Sequence, residues 1–562
     1  MNWKWISIYI FNISVLHAQV ERYAVVINEI MVDPTPVVGL PNAEYIELRN
    51  CSKQTIDLNK WKIEKGNTSY SIGTATLLKP DSLLILCSKS NTAYFPSVRT
   101  VAMNAFPVLI NEEGTLALKS PDNRTIHAIR YQSSWHENKI KASGGWSLEM
   151  IDPHKPCDKN NWGSSVHRDG GTPGLENSMY LKKPIQSGFN IIQCVGVNEK
   201  TLLLQLENGM DSNSLANPAN YQFTNMPDQI QEVNPSGPMF DAAWVKLKTP
   251  IQPNTIYSIE IKNILGCKKE KAFEGIVQMG LLKEPSPKDI LINEVLFNPP
   301  SDGEDYVELY NNGKAVINIY DLYLSSYNQL GSLNTSYKMG VGFYNFFPGD
   351  YVVISEDTSF VRKQWPDAIP KKMIQIKTIP SLSDDEGNIA VLDKQGRLID
   401  KMTYTEKMHD PFLADPSGVS LERIQFIMPS DDPTTWHSAA STSGYGTPTL
   451  ENSQHSKSLS SSAKFHAASK IISPNNDGID DYLFVAYQMS VPGYRCSVYL
   501  FGLNGNMICK IADNQLIGTN GSIVWNGLNK GQLLPSGQYI LYIEAFHLNA
   551  KTVKEKILMG IR

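Results

Sequence analysis

Short alternating runs of apolar and polar residues make up most of the chain. Ile46 and Leu48 alternate with Tyr45, Glu47 and Arg49; later, Val307 and Leu309 alternate with Tyr306, Glu308 and Tyr310. Period two with one apolar face predicts half-buried strands, with Glu47 and Glu308 on the polar face. "NEEGTLALKSPDNRTIHAIRY" predicts strand, turn, strand, with Pro121, Asp122 and Asn123 as the turn, and Asp393 to Gly396 fill the same place later on. Neither region has a convincing helical period. Many short strands with regular turn signals predict an all-β sandwich or barrel.

The pattern occurs twice. "INEIMVDP", "AEYIELRN", "LLKPDSLLIL", "GWSLEMID" and "GTPGLENS" return in the same order as "INEVLFNP", "EDYVELYN", "FFPGDYVVIS", "GVSLERIQ" and "GTPTLENS". The copies span residues 22–178 and 288–453, each of single-domain size. The NE(I/V) opening, the (E/D)Y(I/V)EL strand, the EG hairpin, the SLE segment and the closing W…GTPG resemble the lamin tail domain family of secreted bacterial proteins. That resemblance implies an Ig-like β-sandwich used in binding or scaffolding, often on the same chain as a hydrolase or nuclease domain. No such catalytic domain is recognisable here. The second copy departs at its close, with Thr449 where the first has Gly174, which puts the final turn there in doubt.

Two further units complete a multidomain array of Ig-like β-sandwiches. Residues 184–280, with "LQLENGMD", "NPANY" and "PIQPNTIYSIEI", resemble the Ig-like domain first described in bacterial surface-layer proteins. Residues 465–562 contain "SPNNDGIDDYL", a hairpin signal at Asn504-Gly505, and "WNGLNKGQLLPSGQY". They resemble the C-terminal sorting domains of the type IX secretion system and the Ig-like domain of the flagellar hook-capping protein. The serine-rich stretch 454–464 reads as a flexible linker. Residues 1–18, with Lys4 ahead of an apolar run and a small residue at Ala18, read as a secretory signal peptide.

Composition narrows the functional classes. The 562 residues are 41% hydrophobic and 19% charged, with a net charge of -5. That is globular material with no basic face for a phosphate backbone, so no nucleic-acid partner is expected. No later segment is long and apolar enough to span a membrane. Seven cysteines are too sparse for a disulfide-built scaffold. Cys194 with Cys267 is a candidate bridge, whereas a two-residue Asn504-Gly505 turn would set Cys509 opposite Leu500 and away from Cys496.

The candidate chemistry is thin. Glu29, Glu47, Glu294 and Glu308 recur at matching places in the two copies, but paired-carboxylate catalysis needs two carboxyls about 5–10 Å apart beside an open cleft, and a structural role is the better reading. Asn475, Asp477, Asp480 and Asp481 bracket Gly478 and could hold Ca2+; the same residues are also ordinary turn formers. His154, Cys157 and His167 match no standard zinc spacing. Tyr23, Tyr45, Trp61, Tyr306, Tyr320 and Tyr323 are read as packing aromatics. The expectation is a secreted, non-enzymatic surface protein without catalytic or cofactor-binding residues, acting in adhesion, scaffolding or partner binding. Its partners would be the secretion machinery, through the terminal domain, and a surface protein or polysaccharide. The alternatives are a binding accessory to a secreted hydrolase or nuclease, and a cryptic metal-dependent hydrolase.

Overall fold

The computed structural model describes residues 20–73, 76–183, 190–226, 228–270, 272–456 and 463–562. The expected signal peptide and residues 457–462 of the expected serine-rich linker lie outside the described residues. The chain is an all-β array. It divides into two compact units, residues 1–194, 200–250 and 257–279, and residues 195–199, 251–256 and 280–562.

In the first unit, the first copy builds a sandwich of a six-stranded and a four-stranded sheet. The larger sheet runs Trp162–Ser164, Leu148–Met150, Val25–Met31, Tyr45–Asn50, Leu83–Ser88, Thr100–Met103. The smaller runs Thr125–Gln132, Glu113–Lys119, Lys62–Lys65, Thr68–Ser71. Ile27, Ile46 and Leu48 of the first meet Leu116, Leu118 and Ile129 of the second in one core, each such buried aliphatic side chain contributing about 1.5–3 kcal/mol. The second copy, in the second unit, repeats this design. Its larger sheet runs Met373–Gln375, Tyr351–Ser355, Tyr306–Asn311, Ile290–Leu296, Leu421–Arg423, Trp436–Ser438. The predicted hairpin turns form where expected, closed by Asn123 N–H to Ser120 O (2.9 Å) and by Gly396 N–H to Asp393 O (3.0 Å).

The domain after the first copy is also two-sheeted. Thr201–Leu206 and Ala242–Leu247 pair in one sheet, and Tyr221–Phe223 and Ile256–Leu265 pair in the other. The two halves of "AWVKLKTPIQPNTIYSIEIKNI" therefore belong to different sheets and do not pair as a hairpin. The expected Cys194–Cys267 bridge does not form. Cys194 is buried outside any disulfide, and Cys267 bonds Cys157 of the first sandwich, 110 residues away in sequence. A loop cysteine of the neighbouring sandwich reaches Cys267, and Cys194 fills the core instead.

The terminal domain has sheets of three and five strands around its own core. Its central hairpin sets Leu500 opposite Cys509 as expected, but by another route. Gly502 N–H bonds Asn506 O (2.9 Å), which closes a three-residue loop with Gly505 at φ +82°, and a bulge after Leu500 restores the register. This domain is docked on the second copy. Arg495 donates to Asp410 Oδ1 through Nη2 (3.0 Å) and Nε (3.2 Å), with both side chains buried. Thr519 N–H bonds Ser453 O at 2.8 Å, and the Gln454 amide accepts from Gly493 N–H (3.1 Å) and donates to Ile517 O (3.2 Å).

Candidate functional site

The repeated glutamates come together, though not on a solvated face. In Val25–Met31 the pairing register shifts at Asn28, so that Ile27 faces Leu48 and Glu29 faces Glu47. This bulge rephases the strand. Ile27 and Ile30 point into the sandwich core, and Glu29 and Met31 turn to the opposite face. Glu149 lies across from Glu29 on the other side. Three glutamates from three adjacent strands thus form a row, each fully buried. In the second copy the shift falls at Asn293 and the row is Glu308, Glu294, Glu422. Glu47 and Glu308, expected on a polar face, are buried because the closing segment of each copy lies over that face.

Hydrogen bonds show how it is held. Glu29 Oε1 accepts from Tyr45 OH (2.7 Å), Ser147 Oγ (2.6 Å) and Thr172 N–H (2.8 Å). Glu47 accepts from Asn28 Nδ2 (2.9 Å) and Gly174 N–H (2.6 Å). Glu149 accepts from Thr172 Oγ1 (3.0 Å), Ser178 Oγ (2.9 Å) and Met179 N–H (2.8 Å). Asn177 ties the same segment to Asn28 O and Met150 O. The second copy reproduces the set. Glu294 takes Tyr306, Ser420 and Thr447; Glu308 takes Asn293 and Thr449; Glu422 takes Thr447, Ser453 and Gln454. The turn in doubt keeps its shape, with Thr449 at φ +69° where Gly174 has +79°.

Burial pushes Glu29, Glu47, Glu294, Glu308 and Glu422 toward the neutral form. Glu29 is raised to about 7, first by burial and then by the charge of Glu149, while its hydrogen bonds pull it back. Glu47 and Glu308 are raised well above the usual range by burial, then by Glu29 and Glu294 respectively. Glu422 is raised to about 8 by burial, then by Glu294, and Glu294 is raised by burial. Raised carboxyls are what general acids need. These, however, spend their oxygens on the domain's own closing segment, which a substrate would have to displace. The geometry is that of a latch.

The remaining candidates are dispersed. In the terminal domain, Asp481 accepts from Asn476 N–H (2.6 Å) and Gly478 N–H (2.8 Å), and Asp477 accepts from Ile479 N–H (2.8 Å) and Asn475 Nδ2 (2.9 Å). Asn475 Oδ1 accepts from Asp477 N–H (3.0 Å), and Asp480 is exposed at φ +55°. Among the described residues, the set of His, Cys, Asp and Glu ligand atoms lying within 4.8 Å of one another is Cys157, Cys267 and Glu270, and its two sulfurs are joined as a disulfide. Tyr23, Tyr45, Trp61 and Tyr306 are buried, as expected of packing aromatics, and Tyr320 and Tyr323 are half-buried. Glu149 and Glu422 escaped notice in the sequence, although both sit in the repeated SLE segment that would have flagged them.

Residues 20–133 and 283–406 match the family model for the Lamin Tail Domain. Both matches hold a bulged opening strand and two of the three clustered glutamates. No curated protein matches the chain. Among solved structures, the N-terminal part of the bacterial S-layer protein SbsC aligns at 14% identity and TM-score 0.17, over 30% of this chain and 40% of that one. A DUF4876 family protein from Bacteroides thetaiotaomicron aligns at 12% and 0.18, over 35% and 84%. A tetra-tandem repeat from the extending region of a large adhesion protein aligns at 8% and 0.13, over 96% and 98%. The chain spans about half or less of the S-layer structures it matches. Among the described residues, no helix is long and apolar enough to cross a membrane.

Proposed function

We propose that the chain is a non-catalytic extracytoplasmic scaffold. Its paired lamin-tail-like sandwiches carry surfaces for adhesion or partner binding, and its terminal domain serves export and attachment. The observation that carries this reading is the latch built twice over. The most chemical-looking motif in the sequence is consumed in closing each sandwich, and its acids are turned away from solvent. The Cys157–Cys267 disulfide supports a location outside the cytosol, since such bridges persist in oxidising compartments.

The test has two arms in cells that produce the chain. Protease added to intact cells should cleave the wild type, whereas deletion of residues 465–562 should leave the chain protected inside. A truncated chain that still reaches the surface overturns the export role. In purified protein, Glu47→Gln with Glu308→Gln should alter stability alone. Any hydrolytic turnover of the wild type that vanishes in this variant while the fold persists overturns the non-catalytic reading.

A further inference from the structure

Between the first sandwich and the domain that follows it lies a groove of about 720 Å³, lined by residues of the first unit, within the usual range for small-ligand sites of about 300–1,000 Å³. Its wall includes Trp135, half-buried and stacked on Trp162 with ring centroids 5.6 Å apart and planes 16° apart. Asp158 and Asn208, both buried, also line it. Asp158 Oδ1 accepts from Asn160 N–H at 2.9 Å, but its Oδ2 has no hydrogen-bond partner. A buried acceptor left open is destabilising and gains from a donor brought to it. The Cys157–Cys267 bridge, one of whose cysteines lines the groove, ties the two domains together beside it.

We propose that this groove binds a neutral oligosaccharide segment. The charges lining it are matched: Arg130 with Asp241 (3.0 Å), Lys159 with Glu207 (2.8 Å) and Lys183 with Glu137 (2.7 Å). That leaves Asp158 as the one lining charge outside a pair. An anionic ligand would meet this carboxylate, and a cationic peptide would have to compete with three Lys and Arg side chains already in place. A pyranose ring supplies both things the groove lacks, hydroxyl donors for Asp158 and an apolar C–H face for the indole pair. The planar Arg130 guanidinium, the Lys159 and Lys183 ammonium groups and the three paired carboxylates add donors and acceptors for further hydroxyls. The feature is particular to the first copy, because the residue aligned with Trp135 in the second copy is Met408, which has no ring to stack on a sugar.

This inference rests on the extracytoplasmic reading only for where such a glycan would be met. The test is calorimetric titration of the full disulfide-bonded chain with short neutral fragments of glucan, xylan, mannan and chitin. At least one should bind saturably. Trp135→Ala should weaken it by about tenfold or more, as expected of a stacking anchor. Asp158→Asn, which keeps the shape and the Asn160 bond but turns the open acceptor into a donor, should weaken it as well. Retention of the Cys157–Cys267 bridge and of the melting temperature shows that each variant is folded. Three results would overturn the proposal: no saturable heat with any fragment, binding unchanged in both variants, or binding only of a lysine-rich peptide. A chain that binds no glycan yet is cleaved on intact cells leaves the scaffold reading standing; a chain that binds glycan but stays in the cytosol removes the scaffold reading alone.

Discussion

The carboxylate rows predict a pH dependence opposite to that of ordinary salt-bridged proteins. Glu29 titrates near 4.5 when unfolded and at about 7 in the fold. Between these values the native state holds a proton that the unfolded chain has released, so stability falls as pH rises. The contribution is complete below about 4.5 and is lost as pH passes through about 7. A shift of this size corresponds to roughly 3 kcal/mol, at 1.36 kcal/mol per unit. Glu422, at about 8 in the second copy, extends the window upward. The assay is hydrogen exchange at pH 5, 6, 7 and 8, corrected for intrinsic rates and read on peptides covering Val25–Met31 and Ile290–Leu296. The terminal domain, which has no such row, is the internal control. Protection of the two opening strands should fall toward pH 8 by on the order of 3 kcal/mol relative to the control. Glu29→Gln should flatten the slope in the first copy alone, since the amide oxygen can still accept from Tyr45, Ser147 and Thr172 while no charge forms. Flat or rising protection from pH 5 to pH 8, or a slope untouched by Glu29→Gln, refutes the reasoning.

Three further outcomes are expected. Gly174→Thr should destabilise the first copy by about 1–3 kcal/mol, because it adds left-handed strain and a side chain that meets Val98, whereas Thr449→Gly should be near neutral in chemical denaturation, relieving φ +69° but losing the 2.7 Å bond from Ile369 N–H to the Thr449 hydroxyl. Reduction of Cys157–Cys267 frees a 110-residue loop and should lower first-unit stability by up to about 4–5 kcal/mol, seen as a drop in its melting temperature with the second unit unmoved. Asp410→Ala should leave Arg495 buried without its charge partner and loosen the terminal domain, raising hydrogen exchange at Arg495–Gly502 while Val25–Met31 stays protected.

Much of the architecture was legible because it depends on nearest-neighbour pattern. The alternation at Ile46 and Leu48, and again at Val307 and Leu309, marked strands whose apolar side does face the core. The hidden features depend on residues distant in sequence. Nothing near Glu47 announces that residues 172–179 lie over it, so a polar position in a strand looks solvated when it is buried. The bulge at Asn28 was invisible for a related reason, because simple alternation puts Ile27 and Glu29 on one face. Cys194 looked like the partner of Cys267 because both lie in one domain, and only the packing of two domains brings Cys157 to that sulfur. The serine-rich stretch 454–464 suggested a flexible linker, but its first residue, Gln454, and the Ser453 carbonyl just before it are hydrogen-bonded to the terminal domain.

The two copies also differ where a difference is instructive. The backbone amide just before the bulge is capped in both. Ile27 N–H bonds His127 Nδ1 at 2.9 Å, and Ile292 N–H bonds Asp400 Oδ2 at 2.8 Å. His127 is fully buried and held neutral, its pKa lowered to about 4 by burial, so it needs no counter-charge, and Met150 packs in the sandwich core. Asp400 needs one, and the position of Met150 is taken by Arg423, fully buried, 3.6 Å from Asp400, stacked over Trp436 and donating to Ile292 O at 2.7 Å. The exchange is therefore paired: a neutral acceptor goes with an apolar neighbour, and a charged acceptor with a buried guanidinium. Arg423→Met alone should cost about 3–5 kcal/mol, because it strands the Asp400 charge. Adding Asp400→His should recover most of that loss by installing the first copy's solution. A double-mutant cycle in urea measures the coupling. If the double variant is as unstable as the sum of the singles, the two positions are independent and the paired exchange is an accident of drift. If it recovers, the bulge amide is the fixed requirement, and its partner is free to change only together with the residue beside it.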